Sequence, residues 1–158
     1  MNKPMKIFAA FFAGNLVFVF LYAGVCWVIS RLQITPYGRL MATFFKDRNP
    51  QEAQAYIEAN QPLFDRMLPE AARFSNLFIT PSVGLVMGLV MGLIISTKDR
   101  TTAVVWSLIS ALPITILFWV RSSGEPYRAP YLLLFVAVVA AGGFIGNAVS
   151  TGCSRCKD

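Results

Sequence analysis

The sequence predicts an all-α integral membrane protein with four transmembrane helices and short amphipathic helices in the first loop. Only 14% of its 158 residues are charged, against about 25% in an ordinary soluble domain, and the mean hydropathy is +0.57. Every charge lies outside four uncharged runs, 7–30, 74–97, 101–120 and 129–154. Each run supplies the roughly 20 apolar residues that a helix needs to cross a bilayer core. We therefore expect one integral membrane domain over residues 1–158.

The first predicted span, residues 7–30, follows a short basic tail that carries Lys3 and Lys6. A secretory signal has an apolar region of only about 7–15 residues that ends at small residues. This run is longer and leads into Arg31. It is therefore predicted to be a retained span.

Residues 31–73 form a polar, interfacial segment with three predicted helical stretches, 36–48, 51–60 and a third that starts at Gln61-Pro62 and ends before Pro69. Its apolar residues recur at helical spacing, which is typical of helices that lie in the headgroup region. Such a short segment rarely builds an independent core. We expect it to cover the mouth of the bundle or, alternatively, to dock a partner. In the first stretch the apolar residues are Leu40, Met41, Phe44 and Phe45.

The remaining spans are predicted at about 74–97, 101–120 and 129–150, followed by a C-terminal tail over 151–158. Pro81 lacks an amide hydrogen and crowds the preceding turn, which predicts a distortion near residues 77–81. In the third span, Trp106 and Trp119 lie near the two ends, as in an aromatic belt.

Regularly spaced glycines mark the second and fourth spans. They lie four residues apart, so they share one helix face and allow another helix to approach closely. This glycine-zipper pattern predicts helix packing and leaves open whether the partner helix belongs to the same chain or to another. The predicted packing residues are Gly84, Gly88 and Gly92 in the second span and Gly142 and Gly146 in the fourth.

Three amides, Asn15, Asn76 and Asn147, are the most polar side chains in or near the spans. An amide in hydrocarbon requires a hydrogen-bond partner, so we expect polar contacts between helices. The alternative is that two of them line a path for a polar solute.

The tail carries Cys153-x-x-Cys156, which we interpret as an incidental or structural pair. A structural zinc site needs four ligands, and a dimer would have to supply the other two thiolates. We therefore predict no bound metal and no cofactor. Zinc shared between two copies is the alternative reading.

Missing residue types exclude several functions. The chain has no histidine, which excludes Ser-His-Asp and Cys-His catalysis. No charged residue lies inside a predicted span, which argues against pumps, voltage sensors and proton relays. Lys and Arg stand singly beside the spans, as in membrane proteins, and do not indicate nucleic acid. They are densest at the termini and in residues 98–100, which favours cytoplasmic termini.

These observations favour a small non-enzymatic membrane protein, an accessory or scaffold subunit of a larger membrane complex. Its expected partners are the lipid bilayer and other membrane subunits or copies of itself. The alternative is a homo-oligomeric channel or small-solute transporter, with glycine faces packing between copies. A membrane enzyme is the least favoured class, because the only acidic and basic side chains lie in loops and tails.

Overall fold

The computed structural model describes residues 3–95, 97, 99–121 and 127–155, and over these residues the chain is helical, without a strand. The described chain divides into two compact units. Unit 1 comprises the described residues up to Leu21 and from Thr80 onwards, and unit 2 comprises Tyr22–Ile79. The elements are α1 Lys3–Leu32, α2 Pro36–Phe44, α3 Pro50–Ala59, α4 Gln61–Phe74, a π-helical segment Ser75–Ile79, α5 Thr80–Ile95, α6 Arg100–Arg121 and α7 Arg128–Arg155.

Four helices among the described residues are long and apolar enough to cross a membrane. They are Pro4–Leu32, Gln61–Ile95, Arg100–Val120 and Arg128–Gly152. The prediction of an all-helical, four-span membrane protein is thereby confirmed at the level of helix length and composition.

The second long helix begins earlier than predicted. It is continuous over 35 residues from Gln61, and α4 passes through Pro69, so the predicted helix end before that proline is wrong. A proline inside a helix leaves the carbonyl four residues back, here that of Asp65, without its donor. Both residues are exposed, so solvent can satisfy this carbonyl. Residues 61–73, the last part of the predicted polar segment, therefore form the start of this long helix.

The helix is irregular where the sequence predicts a distortion. A π-helical turn covers Ser75–Ile79, immediately before the buried Pro81. A proline ring crowds the preceding turn of a regular α-helix, and a wider turn relieves such crowding. Within unit 2, the hydroxyls of Tyr22 and Ser75 are hydrogen-bonded at 2.9 Å.

Unit 2 has a small core of its own around Phe44. The Phe44 ring meets Phe64 edge-on with the centroids 5.1 Å apart, and Leu40 and Ala71 are buried beside it. Leu40 and Phe44 therefore face the neighbouring helices α3 and α4. The sequence did not specify which surface this apolar stripe covers, and in the structure these two side chains form part of the core of unit 2.

Local capping sets the starts of the short helices. The Thr35 hydroxyl accepts the Gly38 amide at the start of α2, and Asn49 and Glu52 form a reciprocal capping box at the start of α3. These side chains satisfy amides that a helix start leaves without partners.

In unit 1, helices α5 and α7 run side by side in the same direction. Gly84 lies against Phe135, and further along both helices Gly92 lies against Gly143. Helix α6 packs on both. Helix α1 contributes a strip of three buried residues at helical spacing, Ala10, Gly14 and Phe18.

Candidate helix-packing site

The backbones of α5 and α7 touch at the glycines of α5. A Cβ atom built on Gly88 would lie less than 3.0 Å from the carbonyl oxygen of Val139, closer than real Cβ atoms approach. A Cβ on Gly92 would meet the carbonyl oxygen of Gly143 in the same way. Only hydrogen atoms fit in these spaces, so any larger side chain would force the two helices apart.

The glycines of α7 make the reciprocal approach. A Cβ on Gly142 would lie less than 3.0 Å from the Leu85 carbonyl oxygen, and one on Gly146 equally close to that of Leu89. Each glycine Cα therefore faces a carbonyl of the opposite helix. Such Cα–H···O contacts contribute about 0.5–1 kcal/mol each. We call this set of approaches the glycine ladder.

The fifth predicted glycine, Gly84, differs from the other four. A Cβ there would meet the ring of Phe135, a side chain, at 2.7 Å. All five glycines are buried, and the neighbours named here belong to the same chain. These glycine faces therefore lie in contacts within the chain. Their contribution to the free energy of unfolding stays a prediction.

A second set of small residues joins α6 to this pair. Three residues of α6 spaced by four are at most 1% exposed: Ala103, Ser107 and Ala111. A Cβ on Gly143 would lie 2.7 Å from the Ser107 hydroxyl oxygen. We call Ala103, Ser107 and Ala111 the α6 stripe. The sequence analysis missed it, although its spacing of four is the same signal that marks the glycines.

Asn147 is hydrogen-bonded to Thr97, beyond the end of α5. It is fully buried, its side-chain oxygen accepts the Thr97 amide at 2.8 Å, and its nitrogen donates to the Thr97 carbonyl at 3.1 Å. Both backbone groups of Thr97 lie beyond the last residue of α5, where intrahelical partners are lacking. One side-chain amide therefore satisfies both groups of this peptide segment.

Asn15 joins α1 to α6. Its side-chain nitrogen donates to the Phe11 carbonyl at 2.7 Å and to the Ser110 carbonyl at 3.0 Å. Within the described residues its oxygen is buried without a partner, as is the Ser107 hydroxyl. The third predicted amide, Asn76, lies half-buried in the π-helical segment of unit 2. Asn15 and Asn147 thus bond to different backbone segments.

Asp99 caps the start of α6. Its carboxylate accepts the Thr101 amide at 3.1 Å, the Thr102 amide at 3.2 Å and the Thr102 hydroxyl. The Thr102 hydroxyl bond, followed by the amide bonds, lowers the pKa of Asp99 below its usual 3.8. From the sequence, residues 98–100 were used only for their charge, although Asp is among the preferred residues at a helix start.

Arginines stack on aromatic rings near several helix ends. The Arg128 guanidinium lies 3.3 Å from the centroid of the Trp119 ring, and that of Arg31 lies 4.9 Å from the Trp27 ring. Aromatic rings and cations of this kind concentrate at membrane interfaces. The interfacial position that the sequence predicts for Trp119 stays a prediction.

No group of three or more metal-ligating side chains occurs in the part of the chain that the structure describes. Of the tail cysteines, Cys156 lies outside that part, and only the backbone of Cys153 falls within it. A cavity of about 120 Å³ between α6 and α7 is almost entirely apolar. Sites for small molecules usually measure about 300–1,000 Å³.

An internal repeat accompanies the glycine ladder and went unnoticed in the sequence analysis. Residues 88–97 and 142–151 share Gly, Gly, Ser and Thr at matching positions, 54 residues apart. The glycines of this match are the ones that meet the opposite helix in the structure. No protein-family model, no curated protein and no solved structure matches this chain.

Proposed function

We propose that this protein is a small non-enzymatic subunit, an accessory or scaffold component, of a larger membrane complex. The observation that carries the proposal is the unequal burial of its long helices. In the most apolar window of the second long helix 56% of the residues are buried, against 11% in α1 and 22% in α6. A glycine-packed centre with two such open helices is the arrangement expected of a component that packs against other membrane proteins.

The outer face of α1 illustrates this exposure. Phe8, Phe12 and Phe20 are between 49% and 71% exposed. Isolated exposed apolar residues are ordinary in a membrane protein, because lipid covers them. A helix that contributes so few buried residues, however, gains little stability from its own chain. Partner subunits would supply the missing contacts.

The polar groups of unit 1 support a structural role more than a transport role. Both the oxygen and the nitrogen of the Asn147 side chain are hydrogen-bonded to the backbone of Thr97. The Asn15 side chain donates to two backbone carbonyls. The predicted spans carry no Asp, Glu, Lys or Arg, whereas ion-coupled transporters place such residues there. A non-enzymatic, uncharged bundle therefore fits these residues best.

The alternative function, a homo-oligomeric channel or small-solute transporter, has less support. That hypothesis used the glycine faces as contacts between copies. In the structure Gly88, Gly92, Gly142 and Gly146 meet backbone atoms of their own chain. Contacts between copies would therefore need a different helix face.

We further propose that α2 and α3 lie at the membrane interface with their charged faces outward, that α4 continues from there into the second long helix, and that both termini are cytoplasmic. Arg66 and Arg73 are exposed on α4, opposite the buried Ala71. Charged outer faces over an apolar inner stripe are typical of interfacial helices. The density of Lys and Arg near the termini supports the orientation.

Affinity purification tests the subunit proposal. The tagged full chain would be extracted in a mild detergent and, in parallel, in a harsh one that separates membrane complexes. We expect one or more other membrane proteins to co-purify at constant stoichiometry in the mild detergent only. A homogeneous particle containing this chain alone, extracted from membranes that express it at natural levels, would contradict the proposal.

A further inference from the structure

The glycine ladder has the symmetry of a two-fold pair built within one chain. The approach of Gly88 to Val139 is repeated, 54 residues on, by the approach of Gly142 to Leu85. In a two-fold interface, whenever two residues are in contact, their two symmetry-related counterparts are in contact as well. The glycine approaches follow this rule. The approaches of Gly92 to Gly143 and of Gly146 to Leu89 obey the same relation.

A two-fold pair of parallel helices has two equivalent grooves, one on each side. The first groove is filled. On its α5 wall, Met87, Met91 and Ile95 are at most 2% exposed. Helix α6 enters this side with its stripe, as the approach of Ser107 to Gly143 shows. Helix α1 closes it further, where Gly14 meets the Met91 side chain.

The second groove is open along its α7 wall. The two-fold relation maps Met87, Met91 and Ile95 onto Ala141, Ile145 and Val149. Ala141 is exposed, and Ile145 and Val149 are 46% and 58% exposed. Side chains that are covered on one side of the pair thus have uncovered counterparts on the other.

The α5 wall of the second groove is open as well. Leu85 and Leu93 are each 37% exposed, whereas their counterparts Val139 and Asn147 are fully buried. The contrast therefore appears on both helices and follows the symmetry. We call the surface formed by Leu85, Leu93, Ala137, Ala141, Ile145 and Val149 the open groove.

We infer that the open groove is the docking site for a transmembrane helix of a partner protein, an uncharged helix with small residues spaced by four, like α6. This inference rests on the proposed subunit function and specifies where the partner binds. The equivalent groove already holds such a helix in this chain, and this supports the choice of occupant.

The residues of the open groove suit a helix. Ala137 and Ala141 are exposed small residues four apart on α7, and small residues allow membrane helices to approach closely. In a second copy of this chain the α6 stripe is itself buried. We therefore assign the groove to a different protein.

A synthetic peptide provides the direct test. The peptide is residues 100–121 of this chain, labelled with a donor fluorophore, and the full chain carries an acceptor in lipid nanodiscs. We expect saturable energy transfer, weakened about tenfold when the stripe residues Ala103, Ser107 and Ala111 are changed to Leu in the peptide. Absence of saturable transfer would overturn the inference.

Variants of the full chain locate the binding. Ala141→Phe fills the open groove and should weaken peptide binding about tenfold, whereas Ile116→Ala, on the exposed face of α6, should leave it unchanged. If Ala141→Phe is without effect, the peptide has replaced the chain's own α6 or bound elsewhere, and the inference fails. If that variant does not fold, Ile145→Trp replaces it.

Two further measurements separate the occupants and the hypotheses. Energy transfer between two full-length copies that Ala141→Phe abolishes would make a second copy the occupant and overturn the inference. Co-purifying proteins that Ala141→Phe does not release would also overturn it, while the subunit function would stand. Loss of those proteins from Ala141→Phe but not from Ile116→Ala would support both.

Discussion

Replacement of Gly88 by leucine is the most direct test of the glycine ladder. A Cβ at this position would lie less than 3.0 Å from the Val139 carbonyl oxygen and at 3.1 Å from the Gly143 amide nitrogen. Both atoms belong to the backbone of α7, so no side-chain rotation can make room. The variant can fold only if α5 and α7 separate.

The expected cost follows from the contacts that separation removes. Each Cα–H···O contact of the ladder is worth about 0.5–1 kcal/mol, and moving the helices apart weakens the neighbouring approaches together. Overpacking in a tight interior costs about 1–3 kcal/mol by itself. We expect the free energy of unfolding to fall by about 2–4 kcal/mol. At this chain length, that corresponds to a fall in Tm of about 5–15 °C.

Gly24→Leu is the matched control. Gly24 also lies in a long helix, but a Cβ there meets no described atom within 4 Å apart from its own turn of helix. The two substitutions therefore gain the same helix propensity, about 1 kcal/mol, and differ in the steric clash. Leu85→Ala, a truncation at a partly exposed position of α5, is expected to cost less than about 1 kcal/mol.

Thermal unfolding followed by circular dichroism in a mild detergent supplies the measurement. If Gly88→Leu melts at the same temperature as Gly24→Leu, the two helices do not depend on close backbone contact. The glycine-packing prediction would then be wrong for the whole ladder, because Gly88 lies at its centre.

Four other predictions concern the Asn147–Thr97 hydrogen bonds, the Asp99 cap, the C-terminal cysteines and the topology. Asn147→Leu leaves the backbone groups of Thr97 unpaired and should cost about 1–3 kcal/mol, more than Asn15→Leu in the same melting assay. The lowered pKa of Asp99 stabilises the fold above pH 3.8, and this contribution is lost as the pH falls through the pKa of the folded state. Asp99→Asn should retain the cap yet flatten that dependence in pH-resolved melts. Changing Cys153 and Cys156 to Ser should alter neither zinc content, measured by mass spectrometry, nor Tm; stoichiometric zinc that disappears would contradict this. Single cysteines near each terminus, in a cysteine-free background, should be labelled from the cytoplasmic side only, and labelling from opposite sides would exclude four spans.

The four spans were predictable because charge is costly in hydrocarbon and the charged residues are confined to the connecting segments. Helix ends were harder to predict. Pro69 reads as a stop, yet α4 continues through it because its surroundings are exposed. Leu40 and Phe44 form an apolar stripe that suits a bilayer or a protein core equally well. Only the structure shows that the stripe packs on α3 and α4.

The glycine pattern predicts a close helix contact but not the identity of the second helix. Gly142 and Gly146 supplied the missing half of the signal, since their spacing matches that of Gly88 and Gly92. Asn147 shows which part of a hydrogen bond the sequence can predict and which part it cannot. Its need for a partner was predictable, whereas its actual partner, the backbone of Thr97, depends on where α5 ends.

The ladder also accounts for the uneven burial of the helices. Lipid is as apolar as a leucine side chain, so membrane helices gain little from burying apolar surface and associate mainly through close packing and hydrogen bonds. Here those interactions are concentrated between α5 and α7 and at the α6 stripe, while α1 contributes a narrow strip. A helix held by so few contacts is the one whose position another protein can most readily determine. The α5–α7 pair is thus held by close contacts within the chain, while most of α1 and the open groove stay exposed.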